Sequence, residues 1–390
     1  MDDFVNNIKN NRKFREISVL GISTIISSGI GGLFWIYLAS ILGTEEYGKI
    51  SYLISIGVIA STISLVGMSN TMLIYRAKGI KIQSIAYFIG TTSSTITALV
   101  LYFVLKESEI SLYVIGYVLF TLITSEIIGQ KLYSQYAKFI IVQKCLLVVL
   151  AIIFYNVVGL IGIILGMAIS FLPFVYIVIR TFRKEKINFV ILKEKRTFII
   201  NNYLLDLSNA FNGSLDKIII APFLGFGLLG NYALGLQFLA LLNIIPGIFY
   251  QYILPNEASG DSTTSIKKIM IVVSVIISVC TIIFSPIIVP KLFPNFTEAI
   301  EVIQIMSISI VFYTINSTYV SKYLGLTKNK FIIVGSGIYL AVQIPTLIIL
   351  GEAWGVNGAA ISLVISAIIH AVYFVIVDNV SKSKPKLNSY

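Results

Sequence analysis

The sequence predicts an all-α, polytopic membrane protein of about twelve spans with almost no soluble domain. Of its 390 residues, 57% are hydrophobic and only 12% are charged, whereas an ordinary globular chain carries about a quarter charged residues. The apolar residues form long continuous blocks and give a mean hydropathy of +0.91. These blocks lack the residue-by-residue alternation of an outer-membrane β-barrel, so the predicted spans are helices.

Twelve apolar blocks approach the roughly 20 residues that a helix needs to cross about 30 Å of hydrocarbon. The first follows a polar stretch and is too long for the apolar core of a signal peptide, so we expect it to be a retained span. The blocks lie at 17–42, 50–72, 83–105, 110–129, 139–156, 159–179, 198–222, 228–253, 269–289, 299–320, 331–350 and 355–377.

The basic residues predict the topology. With the N-terminus inside, 24 of the 29 Lys and Arg fall in inner segments, three fall in outer loops, and Lys144 and Lys217 fall within spans. This asymmetry follows the positive-inside rule and places both termini in the cytoplasm of a multi-pass protein of the plasma or inner membrane. The net charge of +11 is thereby explained by loop cations that face anionic lipid, and no nucleic-acid partner is predicted.

Two sequence repeats favour a duplicated unit of six helices. Leu42-Gly43 and Leu224-Gly225 each begin an L-G-x4-G pattern after the first and the seventh span. Gly159 and Gly355 begin G-x-x-G patterns before the sixth and the twelfth span, although glycine also marks any tight turn between spans. The predicted organisation is therefore an N-terminal segment 1–16, an N-lobe 17–180, a basic linker 181–197, a C-lobe 198–378 and a tail 379–390. The two lobes are expected to be pseudo-symmetric, as parallel repeats are.

The seventh span carries the principal candidate site. Asn202, Asp206, Asn209, Gly213 and Asp216 share one helical face, here called the polar stripe, with Asn212 and Lys217 beside it. A charge at the bilayer centre costs about 2.5–3.5 kcal/mol, so the polar stripe is expected to face protein or water rather than lipid. The alternatives are a wall of a substrate or ion cavity, and an Asp216–Lys217 pair that joins helices.

Other polar residues within spans allow two interpretations each. Ser23, Ser27 and Gly31 form a small-residue seam, for close helix packing or for lining a cavity. Lys144 lies near the inner end of its span, where it would snorkel to the surface or contact an anionic head group.

Arg76 and Arg180 are interpreted as interfacial anchors. The lone His370 is interpreted as a packed residue, and Cys145 and Cys280 as buried apolar residues that form no disulfide framework or zinc site.

No GxSxG, P-loop, HExxH or CxxC pattern occurs, so the chain is not predicted to be an enzyme or to bind ATP. The outer loops are short, the longest around Pro290 to Glu298, which leaves little room for the site of a glycan polymerase or ligase. No cofactor is predicted, although the carboxylates of the seventh span would suit a coupling ion, Na⁺ or H⁺.

Three segments together resemble the polysaccharide-exporter (Wzx-type) flippases of the multidrug/oligosaccharidyl-lipid/polysaccharide (MOP) exporter superfamily. They are LGTEEYGKISYLISI after the first span, VGMSNTMLIYRAKG at the end of the second, and NGSLDKIIIAPFLGFGLLGNYALG in the seventh and eighth. The resemblance covers nearly the whole chain. It implies a MATE-like fold of two lobes and transport of a lipid-linked oligosaccharide from the inner to the outer leaflet.

The resemblance also implies partners and a site. Besides membrane lipids and the lipid-linked oligosaccharide, it implies a glycan polymerase or glycosyltransferases as partners, and a central cavity that accommodates a diphosphate and sugars. Asp216 and Lys217 match the acidic–basic pair that such proteins carry in the seventh span. This chain departs from the pattern in having only Lys144 and Lys217 as cations deep in spans. The main alternative is a cation-coupled multidrug antiporter of the same superfamily, and further ones are a membrane-embedded polymerase or ligase and a scaffold protein.

Overall fold

The computed structural model describes residues 12–383 except 186, 188, 248, 251–252, 254–262 and 327. Besides a short helical stretch at 244–247, this part of the chain contains no strand and thirteen longer α-helices. They are α1 (Arg12–Ile41), α2 (Thr44–Leu65), α3 (Met68–Ala77), α4 (Gln83–Leu105), α5 (Ser108–Gly129), α6 (Tyr133–Val158), α7 (Leu160–Ile169), α8 (Val175–Lys184), α9 (Val190–Leu224), α10 (Phe226–Leu242), α11 (Thr264–Leu292), α12 (Ala299–Gly325) and α13 (Asn329–Ser383).

The predicted fold class is confirmed. Among the described residues, nine helical segments are long and apolar enough to cross a membrane. The last of them, Lys330–Val380, has non-helical backbone at Trp354 and Gly355, which divides it at the boundary predicted between the eleventh and twelfth spans. The polar α9 and the shorter α10 are not among the nine. Helix α9 contains the seventh block, 198–222, whereas α10 covers only the first part of the eighth, 228–253, because it ends at Leu242.

The peripheral helices expose apolar side chains where a soluble protein would expose charges. On α11, for example, Val272, Ile276 and Ile283 are each more than half exposed. Contiguous exposed apolar surface of this kind is typical of a surface that contacts lipid.

Some span boundaries differ from those predicted. The second span is helical from Thr44 to Leu65, and not over 50–72, because the chain turns at Val66 and Gly67, both of which have positive φ. The separate helix α3 follows. The sixth span consists of α7, a 3₁₀ turn that contains Pro173, and α8. Helix α9 begins at Val190, inside the stretch predicted as a linker, and α11 continues through Pro286 and Pro290 to Leu292.

The chain forms two compact units. Among the described residues, the first contains those up to Phe34 together with Leu53–Ala210, and the second contains Trp35–Tyr52 together with those from Phe211 to Ser383. The boundaries of these units fall inside helices, whereas the limits of the predicted lobes come from the sequence repeats. The two divisions are of different kinds, and the limits of the lobes stay a prediction. Helix α5 is central in the first unit, where it packs against α3, α4, α6 and α7. Helix α12 has the corresponding place in the second unit, against α10, α11 and α13.

The turns before the sixth and twelfth spans have the same geometry, which supports the internal repeat. Gly159 has φ 73° and ψ −148°, and Gly355 has φ 57° and ψ −136°. Three residues later, Gly162 and Gly358 each pack against a backbone carbonyl eight residues earlier, that of Phe154 and of Leu350, so closely that a Cβ atom would overlap it. In each pattern the first glycine is thus required by the positive φ of the turn, and the second by the close packing against a backbone carbonyl.

The two L-G-x4-G patterns meet within the second unit. A Cβ atom on Gly48 would overlap the carbonyl of Phe226, and one on Gly230 would overlap the carbonyl of Thr44. Each pattern therefore places the start of its helix, α2 or α10, directly against the backbone of the other. The pattern serves helix packing, since small residues are what allow two helix backbones to approach this closely.

Candidate functional site

The polar stripe lies on a single continuous helix, α9, as its spacing predicts. Its exposure varies along the helix: Asn202 and Asp216 are buried, Asp206 is half-buried, and Asn209 and Gly213 are exposed. The stripe crosses the boundary between the two compact units, which lies between Ala210 and Phe211. Asn202, Asp206 and Asn209 belong to the first unit, and Gly213 and Asp216 belong to the second.

In the first unit, the Asp206 carboxylate is held by Asn70. The Asn70 Nδ2 group donates a hydrogen bond of 2.9 Å to Asp206 Oδ1. The other oxygen, Oδ2, is buried and has no hydrogen-bond partner among the described residues. A buried acceptor without a partner is costly, so this oxygen is a natural place for a proton or a small cation.

The position of Asn70 follows from the break in the second span. Gly67 has φ +70° and packs directly on α9, where a Cβ atom would lie only 2.8 Å from the Tyr203 nitrogen. This contact brings the first turn of α3, and with it Asn70, beside Asp206. A continuous helix over 50–72 would not produce the same close approach, so the break is part of the site.

In the second unit, Asp216 is well satisfied. The hydroxyl of the buried Tyr232 on α10 donates a hydrogen bond of 2.8 Å to Asp216 Oδ2. The Lys217 backbone N–H donates one of 2.8 Å to Oδ1, and the Lys217 ammonium lies 3.9 Å from the same oxygen. The Lys217 ammonium also donates to the Gly213 carbonyl at 2.8 Å. The Tyr232 hydrogen bond joins α10 to α9 through Asp216, whereas the contacts of Lys217 with Asp216 and Gly213 stay within α9. The helix-joining interpretation is therefore favoured for Asp216 with Tyr232 as its partner, and not for the ion pair itself.

The asparagines of α9 differ in their surroundings. Asn202 donates to the Phe198 carbonyl of its own helix at 2.9 Å. Asn212 Oδ1 is buried and has no hydrogen-bond partner among the described residues. Asn209 is exposed in the middle of the helix, where lipid contact would be unfavourable for an amide.

Ser23 and Ser27 are buried, at 2% and 3% exposure. Their hydroxyls donate to carbonyls of their own helix, those of Leu20 at 2.9 Å and Thr24 at 3.1 Å. Serines that bond back to their own helix and lie buried favour close packing over cavity lining.

Lys144 on α6 approaches this seam from within the same unit. Its ammonium would lie 4.0 Å from a Cβ atom on Gly31, so the absence of a side chain there makes room for it. The lysine is half-buried, and among the described residues no hydrogen bond or ion pair satisfies its ammonium. It is therefore a cation that is available to an anionic group.

The sequence did not single out Asn70 or Tyr232, which complete the surroundings of the two aspartates. Both lie in the segments that carry the family resemblance. Asn70 could have been identified from the sequence as a polar residue at the end of an apolar block. Tyr232 carried no signal, because tyrosine is common near span ends.

Comparison with family models finds no match, and comparison with curated proteins finds none either. Solved structures do match in fold. One is the lipid II flippase MurJ in an inward closed conformation, with a TM-score of 0.76 and 14% identity, over 92% of this chain and 87% of that chain. Another is a multidrug resistance MATE family transporter of the MOP superfamily in an inward-facing conformation, with a TM-score of 0.63 and 14% identity, over 95% and 100%. A third is a MATE in complex with Br-NRF, with a TM-score of 0.53 and 12% identity, over 94% and 96%. The chain therefore has the transporter fold that these structures share.

Proposed function

We propose that this chain is a flippase that moves a polyprenyl-(di)phosphate-linked oligosaccharide from the cytoplasmic to the outer leaflet by alternating access. The observation that carries the proposal is the fold similarity to a lipid II flippase, which extends over 92% of the chain. The motif resemblance to polysaccharide exporters supports the same substrate class.

The polar residues of the described spans suit such a substrate. Without protein, every hydroxyl of a sugar and the charged phosphate would lose its water in the hydrocarbon, at several kcal/mol for each unsatisfied group. Exposed Asn209 on α9 would supply amide contacts in place of water. The unpaired ammonium of Lys144 would attract the phosphate.

Ion coupling is proposed at Asp206. One of its oxygens is buried without a partner, whereas both oxygens of Asp216 already accept hydrogen bonds. Binding of H⁺ or Na⁺ to Asp206 would relieve this deficit, and movement of one charge through 100 mV supplies about 2.3 kcal/mol.

The test is translocation of a fluorescent polyprenyl-diphosphate oligosaccharide between leaflets of proteoliposomes that contain the purified chain. Asn209→Leu removes an exposed amide from α9, whereas Leu204→Ala changes an exposed apolar residue of the same helix and is the matched control. We expect Asn209→Leu to reduce the rate by about fivefold or more, since one lost hydrogen bond to a polar substrate costs about 1 kcal/mol or more. Leu204→Ala should transport as the wild type does.

Three results would each contradict a part of the proposal. If the wild type moves no lipid-linked oligosaccharide, the chain is not a flippase of this class. If Asn209→Leu instead raises thermal stability and leaves transport intact, Asn209 faces lipid and the polar stripe is not on the substrate path. Transport that persists unchanged in the double variant Asp206→Asn, Asp216→Asn would refute ion coupling at these carboxylates.

The second candidate function is a cation-coupled multidrug antiporter. It is favoured by the fold similarity to a multidrug resistance MATE family transporter, which covers 95% of this chain. Efflux of a cationic dye driven by a Na⁺ or H⁺ gradient, in the same proteoliposomes that fail to move the lipid-linked sugar, would decide for the antiporter.

A further inference from the structure

A polar cavity of about 310 Å³ lies within the first compact unit, at the predicted cytoplasmic ends of its spans. The residues that matter here are Arg76 at the end of α3, Gln83 at the start of α4, Glu126 near the end of α5, and Arg180 and Lys184 on α8. The cavity is separate from the polar stripe of α9. Its volume is in the range of sites that hold small molecules.

Arg76 has a guanidinium that the protein leaves incompletely paired. Its side chain is only 15% exposed, and its buried Nε–H has no hydrogen-bond partner among the described residues. The nearest carboxylate, Glu126, lies 3.6 Å away and is already occupied by two donors, Tyr87 at 2.6 Å and Gln130 at 2.8 Å. A buried charged donor without an acceptor is costly, so this guanidinium favours a further acceptor in the cavity.

Arg180 and Lys184 add two cations on the exposed side of the same cavity. The second carboxylate of the lining, Glu185, accepts a hydrogen bond of 2.6 Å from Gln83 and a longer one from Ser84. Both carboxylates are thus bonded to neutral donors, while the three cations of the lining form only the single long ion pair of Arg76 among the described residues. The ligand that fits this surplus is an anion with several oxygens, which guanidinium binds with two parallel hydrogen bonds.

Gln83 narrows the class of ligand. The Gln83 side chain is 3% exposed, and its Nε2 group donates a hydrogen bond to Glu185. Its Oε1 atom is buried and has no hydrogen-bond partner among the described residues. A buried acceptor without a partner therefore lies next to the three incompletely paired cations that line the cavity. A phosphate that carries a neighbouring hydroxyl or ammonium group would satisfy both.

We propose that this cavity binds the phosphodiester head group of a glycerophospholipid of the inner leaflet. Its apolar lining residues Ile127 and Ile177 and the exposed Tyr176 would contact the adjoining glycerol and acyl carbons. Clusters of Lys and Arg at the cytoplasmic ends of spans are sites where anionic head groups bind. The inference does not depend on the transport function, because none of the residues that line the cavity belongs to α9.

Native mass spectrometry of the purified full chain in detergent tests the proposal. The chain is titrated with phosphatidylethanolamine and phosphatidylglycerol, and with diacylglycerol of the same acyl chains as the control without phosphate. The variant Arg180→Gln, Lys184→Gln changes only exposed side chains and should fold normally, and Arg76→Gln removes the buried guanidinium. Lys81→Gln, an exposed cation of the same predicted side that does not line the cavity, is the matched control.

We expect one phospholipid to bind the wild type and Lys81→Gln equally, and to bind the Arg180, Lys184 variant about tenfold more weakly. If inorganic phosphate displaces the phospholipid, the cavity recognises phosphate and its ligand can be a soluble phosphate. If inorganic phosphate does not displace it, the ligand is the lipid. Equal binding of diacylglycerol would overturn the proposal. So would phospholipid binding that is unchanged in both the Arg180, Lys184 variant and Arg76→Gln.

Discussion

At the scale of single residues, the hydroxyl of Tyr232 is, among the described residues, the one side-chain donor outside α9 that bonds the Asp216 carboxylate. Both side chains are buried, so their hydrogen bond is made where water cannot replace it. For Tyr232→Phe we expect the free energy of unfolding to fall by about 1–3 kcal/mol, because Asp216 keeps its burial and loses a donor. The apparent Tm in detergent measures this.

The control for that measurement is Tyr102→Phe, which removes the hydroxyl of an exposed tyrosine and should leave the Tm unchanged. If Tyr232→Phe also leaves the Tm unchanged but abolishes translocation, Asp216 acts in transport and the helix-joining interpretation is wrong. The variant thus separates the two interpretations that the sequence leaves open for the Asp216–Lys217 pair.

At the scale of helices, the crossing of α2 and α10 depends on Gly48 and Gly230. A methyl group on Gly48 would overlap the Phe226 carbonyl and lie 2.9 Å from the Gly230 nitrogen, so two backbones would have to separate. We expect Gly48→Ala to destabilise the second unit by more than about 3 kcal/mol, since overpacking that only moves side chains already costs 1–3 kcal/mol. The yield of monodisperse protein on size exclusion and its Tm measure the effect.

The matched control is the other glycine of the same pattern. A Cβ atom on Gly43 would have no neighbour within 4 Å, and Gly43 does not have a positive φ. Gly43→Ala should therefore fold as the wild type does. Equal loss of protein in both variants would mean that the L-G-x4-G pattern acts through something other than this backbone contact.

These helices also show how far the sequence predicts the structure and why it stops. The spacing of Asn202, Asp206 and Asp216 correctly predicts one face of a continuous helix, because helical periodicity is a local property. The break at Gly67 was missed, since it follows from packing against α9, more than a hundred residues away in sequence. The Asn70–Asp206 bond spans 136 residues, and no local pattern encodes such a pairing.

At the scale of the whole molecule, the topology is a prediction from the distribution of charge that can be tested with one pair of residues. Ser108 begins α5 and Ser134 lies in the first turn of α6, and both are exposed. The charge distribution places the first outside and the second in the cytoplasm, beside Lys131 and Lys138. In a background with Cys145 and Cys280 replaced by serine, Ser108→Cys should react with a membrane-impermeant maleimide in intact cells, and Ser134→Cys should react only after permeabilisation.

The result bears on every functional proposal made for the chain, because both the direction of transport and the leaflet of the phosphate site follow from the topology. Reaction of Ser134→Cys with the maleimide in intact cells would mean that the topology is the inverse of the predicted one. The cavity of Arg76, Arg180 and Lys184 would then open to the outer leaflet, where the attraction of cations to the anionic lipids of the cytoplasmic leaflet is absent. Transport toward the outer leaflet would likewise have to be reassigned. Protection of Ser134→Cys together with labelling of Ser108→Cys fixes both, since the two residues flank a single span.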